Sequence, residues 1–114
     1  MQLKNNIALI TGGGSGLGAA TAKVLATGGA KVALLDRNIT AAEAVAKETG
    51  GMAIECDVTN EASVQAAIAK AGTPRIVVNC AGILGAGRIL GKEAPMALDY
   101  FEAAVRVNLI GTFN

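Results

Sequence analysis

The sequence predicts an α/β domain whose parallel sheet is wound with helices on both faces. Short apolar runs alternate with alanine-rich segments of helical pattern along 114 residues. The runs are continuously apolar rather than alternating, the pattern of strands covered on both faces. Glycines mark the joins between runs and helices.

Ile7–Ile10 reads as the first strand and Leu17–Thr27 as the first helix. Gly28-Gly29 ends that helix, since glycine accepts the left-handed conformation of a C-terminal cap. Lys31–Leu35 is the second strand, ending at Asp36, and the second helix runs from Thr40 to Lys47 before Gly50-Gly51 stops it. Met52–Cys56 is the third strand. Thr59 or Asn60 caps a third helix reaching Lys70, with Val64, Ala67 and Ile68 on its inner face. Arg75–Asn79 is the fourth strand, a glycine-spotted loop covers Cys80–Pro95, and the last helix spans Leu98–Leu109. Right-handed crossovers then give the strand order 3-2-1-4.

Composition narrows the function classes. Hydrophobic residues make up 52%, charged residues 17%, and the net charge is +1. Acidic and basic residues are interspersed, so neither nucleic acid nor an anionic membrane is the expected partner. No apolar run approaches a membrane span and no signal-peptide pattern opens the chain, so a cytoplasmic location is expected. The absence of histidine removes Ser-His-Asp and Cys-His nucleophilic schemes and the commonest zinc ligand. Cys56 and Cys80 fit no metal-binding spacing; they are expected at the ends of different strands as buried structural thiols.

The chemistry concentrates in Thr11-Gly12-Gly13-Gly14-Ser15-Gly16-Leu17-Gly18. A buried strand that ends in glycines and opens a helix lets the backbone approach a pyrophosphate, which the helix N-terminus attracts. Gly12, Gly16 and Gly18 form one register, and Gly14-Ser15-Gly16-Leu17-Gly18-Ala19 fits the overlapping G-x-G-x-x-A pattern. No Gly-Lys-Ser/Thr closes the motif, which excludes a P-loop kinase. Asp36, 18 positions beyond Gly18, is placed to accept the ribose hydroxyls of an adenosine and to repel a 2′-phosphate. That reading favours NAD over NADP, with the adjacent Arg37 as the one feature pointing the other way. The chain is thus a Rossmann-type domain by fold and by motif.

Thr11-Gly12-x-x-x-Gly16-x-Gly18, Asp57-Val58, Asn79-Cys80-Ala81-Gly82 and Asn108 within Val107-Asn108-Leu109 resemble, in order, the short-chain dehydrogenase/reductase family. The resemblance implies that Gly12, Ser15, Gly16, Leu17, Gly18 and Asp36 hold NAD. It implies that Asp57 receives the adenine amino group beside Val58, and that Asn79, Ala81 and Gly82 line the cofactor. Asn108 would hold a water in the proton relay behind a catalytic lysine. The 78–83 and 107–114 segments resemble the branch of type 2 3-hydroxyacyl-CoA dehydrogenases, which also act on hydroxysteroids.

That family's reaction needs a tyrosine four positions before a lysine, downstream of the asparagine helix. The one tyrosine, Tyr100, is followed four positions on by Ala104. Residues 1–114 are therefore expected to be the cofactor-binding, N-terminal part of a single-domain dehydrogenase acting on a small alcohol or ketone, and inactive alone. The alternative is a non-catalytic dinucleotide-binding or interaction module. The fourth strand is expected to leave an apolar edge open. In the resembled family the last helix packs on its counterpart in a second subunit, which implies a homo-oligomer at full length.

Overall fold

The computed structural model describes residues 1–114. Along the chain lie β1 (Ile7–Thr11), α1 (Gly16–Thr27), β2 (Lys31–Asp36), α2 (Ile39–Thr49), β3 (Met52–Glu55), α3 (Glu61–Ala71), β4 (Ile76–Asn79) and α4 (Leu98–Val105). α4 continues through a π-helical turn, Arg106–Ile110, into a last α-helical turn, Gly111–Phe113. The strands form one all-parallel sheet in the order β3-β2-β1-β4, the order right-handed crossovers require.

Side chains on a strand alternate between faces, and here each face meets a different set of helices. Ala8, Ile10, Val32 and Leu34 pack with Ala22, Ala42, Val45 and Ala46 of α1 and α2. Leu9, Ala33, Leu35 and Ile54 pack with Val64, Ala67 and Ala71 of α3. The alanines that make these helices good formers also keep their inner faces thin, so the helices lie close on the sheet. Burial of a side chain such as Leu34, fully excluded from water, contributes about 1.5–3 kcal/mol.

The helix ends explain most departures from the predicted bounds. α1 closes in a Schellman arrangement: the Ala30 N–H donates to the Leu25 carbonyl and the Gly29 N–H to that of Ala26. The left-handed residue is Gly29, with φ 91°, whereas Gly28 stays right-handed at φ −74°. α2 starts before Thr40 because the Asn38 side chain accepts from the Ala41 N–H at 3.0 Å, and it runs to Thr49. Asn60, not Thr59, caps α3, accepting from the Ser63 N–H at 2.9 Å. Ile68 is not on the inner face: it is 40% exposed at the border of α3's buried stripe, and Ala71 fills the third inner position.

β4 bonds β1 on one side only, and Val77 is 57% exposed, so the coverage on both faces that describes β1 and β2 does not extend to this edge. α4 buries none of its residues and, apart from its own continuation, rests mainly on the preceding loop, where Ala104 lies against Gly85 and the Tyr100 hydroxyl donates to the Ala86 carbonyl. The Cα radius of gyration, 15.7 Å, accordingly exceeds the roughly 13 Å of a compact chain of about this length. No helix is long and apolar enough to cross a membrane.

Candidate functional site

A cavity of about 360 Å³ opens at the C-terminal ends of the strands, between the loop after β1 and the segment after β4. From β1 the chain winds toward β2 on one side, and β4 lies on the other, so this is the crevice where strand order reverses. Gly12, Ser15, Gly16, Leu17, Asp36, Asp57, Val58, Ala81 and Gly82 line it, nearly all the residues the sequence singles out. Gly18 lies behind the wall, and Asn79 lines a separate groove of about 190 Å³ together with Thr11, Val77 and Phe113.

Two glycines are obligatory for reasons of space. Gly12 has φ 64°, and a Cβ there would lie 2.8 Å from the Ala81 nitrogen, where the β1 loop crosses the β4 segment. A Cβ on Gly18 would collide with the Gly12 carbonyl oxygen, so α1 packs directly on its own entry loop. Gly16 has open space around it and is set apart by its left-handed φ of 50°, while Gly14 packs beneath α2, where a Cβ would lie 2.9 Å from the Ala42 nitrogen. Ser15 extends the backbone into α1 without a side-chain cap, and the Gly16, Leu17 and Gly18 N–H groups find no protein acceptor. Those unpaired donors, with the positive end of the helix dipole, open toward the cavity where Ser15, Gly16 and Leu17 line it.

Thr11, which opens the glycine motif but is given no role by the sequence, is the brace of the site. Its buried hydroxyl accepts from the Cys80 N–H at 3.2 Å and the Ala81 N–H at 3.1 Å, and lies 3.5 Å from Asn79 Oδ1. A buried polar side chain at a strand's last residue, beside a glycine turn, is the signal that could have found it.

Both carboxylates at the site are held by backbone and hydroxyl donors. Asp36 accepts from the Gly14 N–H through Oδ2 and from the Asn38 N–H through Oδ1, each at 2.9 Å, tying the end of β2 to the glycine loop. Asp57 Oδ1 accepts from the Thr59 hydroxyl at 2.8 Å and the Thr59 N–H at 3.0 Å. The Thr59 hydroxyl, then its N–H, and the Arg37 charge hold the Asp57 carboxyl below the usual carboxylate range against the opposing effect of burial. Cys56, fully buried at the end of β3, lines the cavity with its thiol pushed up by burial, so it stays a neutral thiol. Cys80 also lines the cavity but is only half-buried, contrary to the expectation of two buried thiols; β4 is the uncovered edge.

Asn108 does not line the cavity. Its Oδ1 accepts from the Ile83 N–H and its Nδ2 donates to the Ile83 carbonyl, both at 2.9 Å. It thereby clamps the loop segment that leaves Gly82, from within the π-helical turn. Single π-turns in α-helices often mark functional sites, and here the turn carries the asparagine that fixes one wall.

An open parallel sheet with a glycine loop, an uncapped helix N-terminus and an acidic residue closing β2 is a Rossmann-type nucleotide-binding domain. The sequence profile of the short chain dehydrogenase family matches residues 6–114, and the chain belongs to that family of oxidoreductases. It is 44% identical to 3-hydroxyacyl-CoA dehydrogenase type-2 of Bos taurus, over 99% of this chain and 46% of that protein. It is 39% identical to D-threitol dehydrogenase of Mycolicibacterium smegmatis, over 98% of this chain and 45% of the relative. A solved 3-ketoacyl-(acyl-carrier-protein) reductase of Brucella melitensis, complexed with NADH, superposes with a TM-score of 0.87. Identity to that reductase is 40%, over 97% of this chain and 47% of that one. The chain thus spans about half the length of the relatives it matches.

Proposed function

We propose that these residues form the NAD-binding part of a dehydrogenase that moves a hydride between a secondary alcohol and nicotinamide. The observation that carries the reading is Asp36. Its carboxylate is pinned by the Gly14 and Asn38 N–H groups at the rim of the glycine-loop cavity, where an acceptor pairs with a ribose diol and repels a phosphate. The residues present fit a dinucleotide: Gly12 and Gly18 let the loop pack closely on the β4 segment and on α1, and the Gly16–Gly18 N–H groups have no other acceptor.

NAD, when bound, supplies the hydride acceptor. The chain's own residues bind and orient it. The α1 N-terminus takes the pyrophosphate charge, Asp36 the adenosine ribose, and Asp57 beside Val58 the adenine, while Ala81 and Gly82 form the opposite wall. Asn108 acts as a positioning residue through Ile83. The proton donor for the alcohol oxygen would come from residues outside 1–114, since no Tyr-x-x-x-Lys occurs within them.

The similarity to a type-2 3-hydroxyacyl-CoA dehydrogenase supports a 3-hydroxyacyl thioester as the alcohol, and the resemblance to that branch adds a hydroxysteroid as the other candidate. The uncovered α4, with Leu98 and Phe101 more than half exposed, supports a homo-oligomer built on that helix. A cytoplasmic location completes the proposal. The test is oxidation of a panel of secondary alcohols by the full polypeptide, followed by NADH absorbance. Turnover of 3-hydroxyacyl thioesters or hydroxysteroids is expected. Tight NAD binding without oxidation of any member of the panel would contradict the assigned reaction.

A further inference from the structure

The turn after β3 holds a carboxylate with one oxygen occupied and one free. Asp57 Oδ1 takes both Thr59 donors, and the Asp57 N–H itself donates to Ser63 Oγ at 3.0 Å, so the residue is fixed at its backbone and at one oxygen. Ser63 is in turn fixed by its own N–H on the Asn60 cap of α3. Oδ2 has no hydrogen-bond donor from the protein, and Asp57 forms part of the cavity wall with Val58. An ionised carboxylate is an acceptor only, so the free oxygen pairs with an N–H donor and is repelled by an oxygen.

From this geometry we infer that Thr59 is a positioning residue that sets purine specificity: its hydroxyl aims the free oxygen of Asp57 at a 6-amino group and against a 6-oxo group. The inference rests on the proposed binding of NAD in this cavity. Thr59 touches no ligand in this scheme. It acts by keeping the carboxylate plane from swinging toward Arg37, whose charge acts on the same carboxyl. Its backbone N–H alone leaves that swing less restrained.

The test compares the dissociation constants of NAD and of nicotinamide hypoxanthine dinucleotide, which differ at the 6-position of the purine. Both are titrated into the full polypeptide and its Thr59→Val and Thr59→Ser variants, with melting temperatures measured alongside. Thr59→Val keeps the β-branched shape and removes the hydroxyl; Thr59→Ser restores it. The preference of the wild type for NAD is expected to fall by roughly three- to tenfold in Thr59→Val, as the loss of one hydrogen-bond donor allows, through weaker NAD binding alone. Thr59→Ser is expected to recover it. Equal loss for both dinucleotides, or no change for either, would overturn the inference while leaving the NAD site intact. A wild type that binds both dinucleotides equally would remove the adenine contact of Asp57, and one that binds neither would overturn the proposed function itself.

Discussion

The two halves of this sheet differ in how they are held. Around β1, β2 and the glycine loop, backbone meets backbone at distances that exclude a Cβ, and carboxylates are pinned by N–H groups. Around β4 and α4, apolar side chains such as Val77, Leu109 and Phe113 stand largely in solvent. The first half reaches its geometry from local contacts and glycine chemistry. The second relies on few clamps, chiefly Asn108 on Ile83 and the Asn114 side chain, which donates to the Val58 carbonyl at 2.9 Å. Precision at the cavity is therefore concentrated on the loop side, and the opposite wall is held by Thr11 on Cys80 and Ala81 and by Asn108 on Ile83.

Truncations sharpen the contrast. Leu34→Ala empties a site wholly excluded from water and is expected to cost about 2–5 kcal/mol. Leu109→Ala, at a position 66% exposed, is expected to stay within about 0.5 kcal/mol. Denaturant unfolding of the two variants checks both, and a cost at Leu109 matching that at Leu34 would break the comparison. A smaller effect separates the two ends of the pH scale. The folded-state pKa of Asp57 is depressed, so its contribution is present above the unfolded value of about 3.9 and is lost as pH falls through the lower folded value. Asp57→Asn should therefore be less stable than the wild type near neutrality, with the gap closing in acid. Melting curves from about pH 7 down to about pH 3 read this out, and a gap constant with pH would contradict it.

The alternation of strand and helix, the order β3-β2-β1-β4 and the glycine loop are all legible in the sequence because each follows from local pattern and chain chirality. Asp36 and Asp57 are legible because both sit at strand ends that the parallel order brings to one crevice. What the sequence conceals depends on contacts between distant segments. Thr11 braces a segment some seventy residues away, visible only once β1 and β4 are neighbours. Asn108 reads as a relay residue by resemblance; its clamp on Ile83, and the π-turn that carries it, have no local sequence mark. Asn79, grouped by its motif with Ala81 and Gly82, instead lines the second groove with Thr11 and Val77, a placement set by the pairing of β4 with β1 rather than by the motif. Ile68 and Cys80 are more exposed than apolar character suggests because they border the edge where β4 has no second neighbour.

The central claim is that the glycine loop and the pinned Asp36 make an NAD site. Calorimetric titration of the full polypeptide with NAD and with NADP tests it most directly. NAD is expected to bind at least about tenfold more tightly, since a 2′-phosphate would meet the Asp36 carboxylate at short range. NADP binding as tight as NAD, or tighter, would contradict it and shift the decisive role to Arg37.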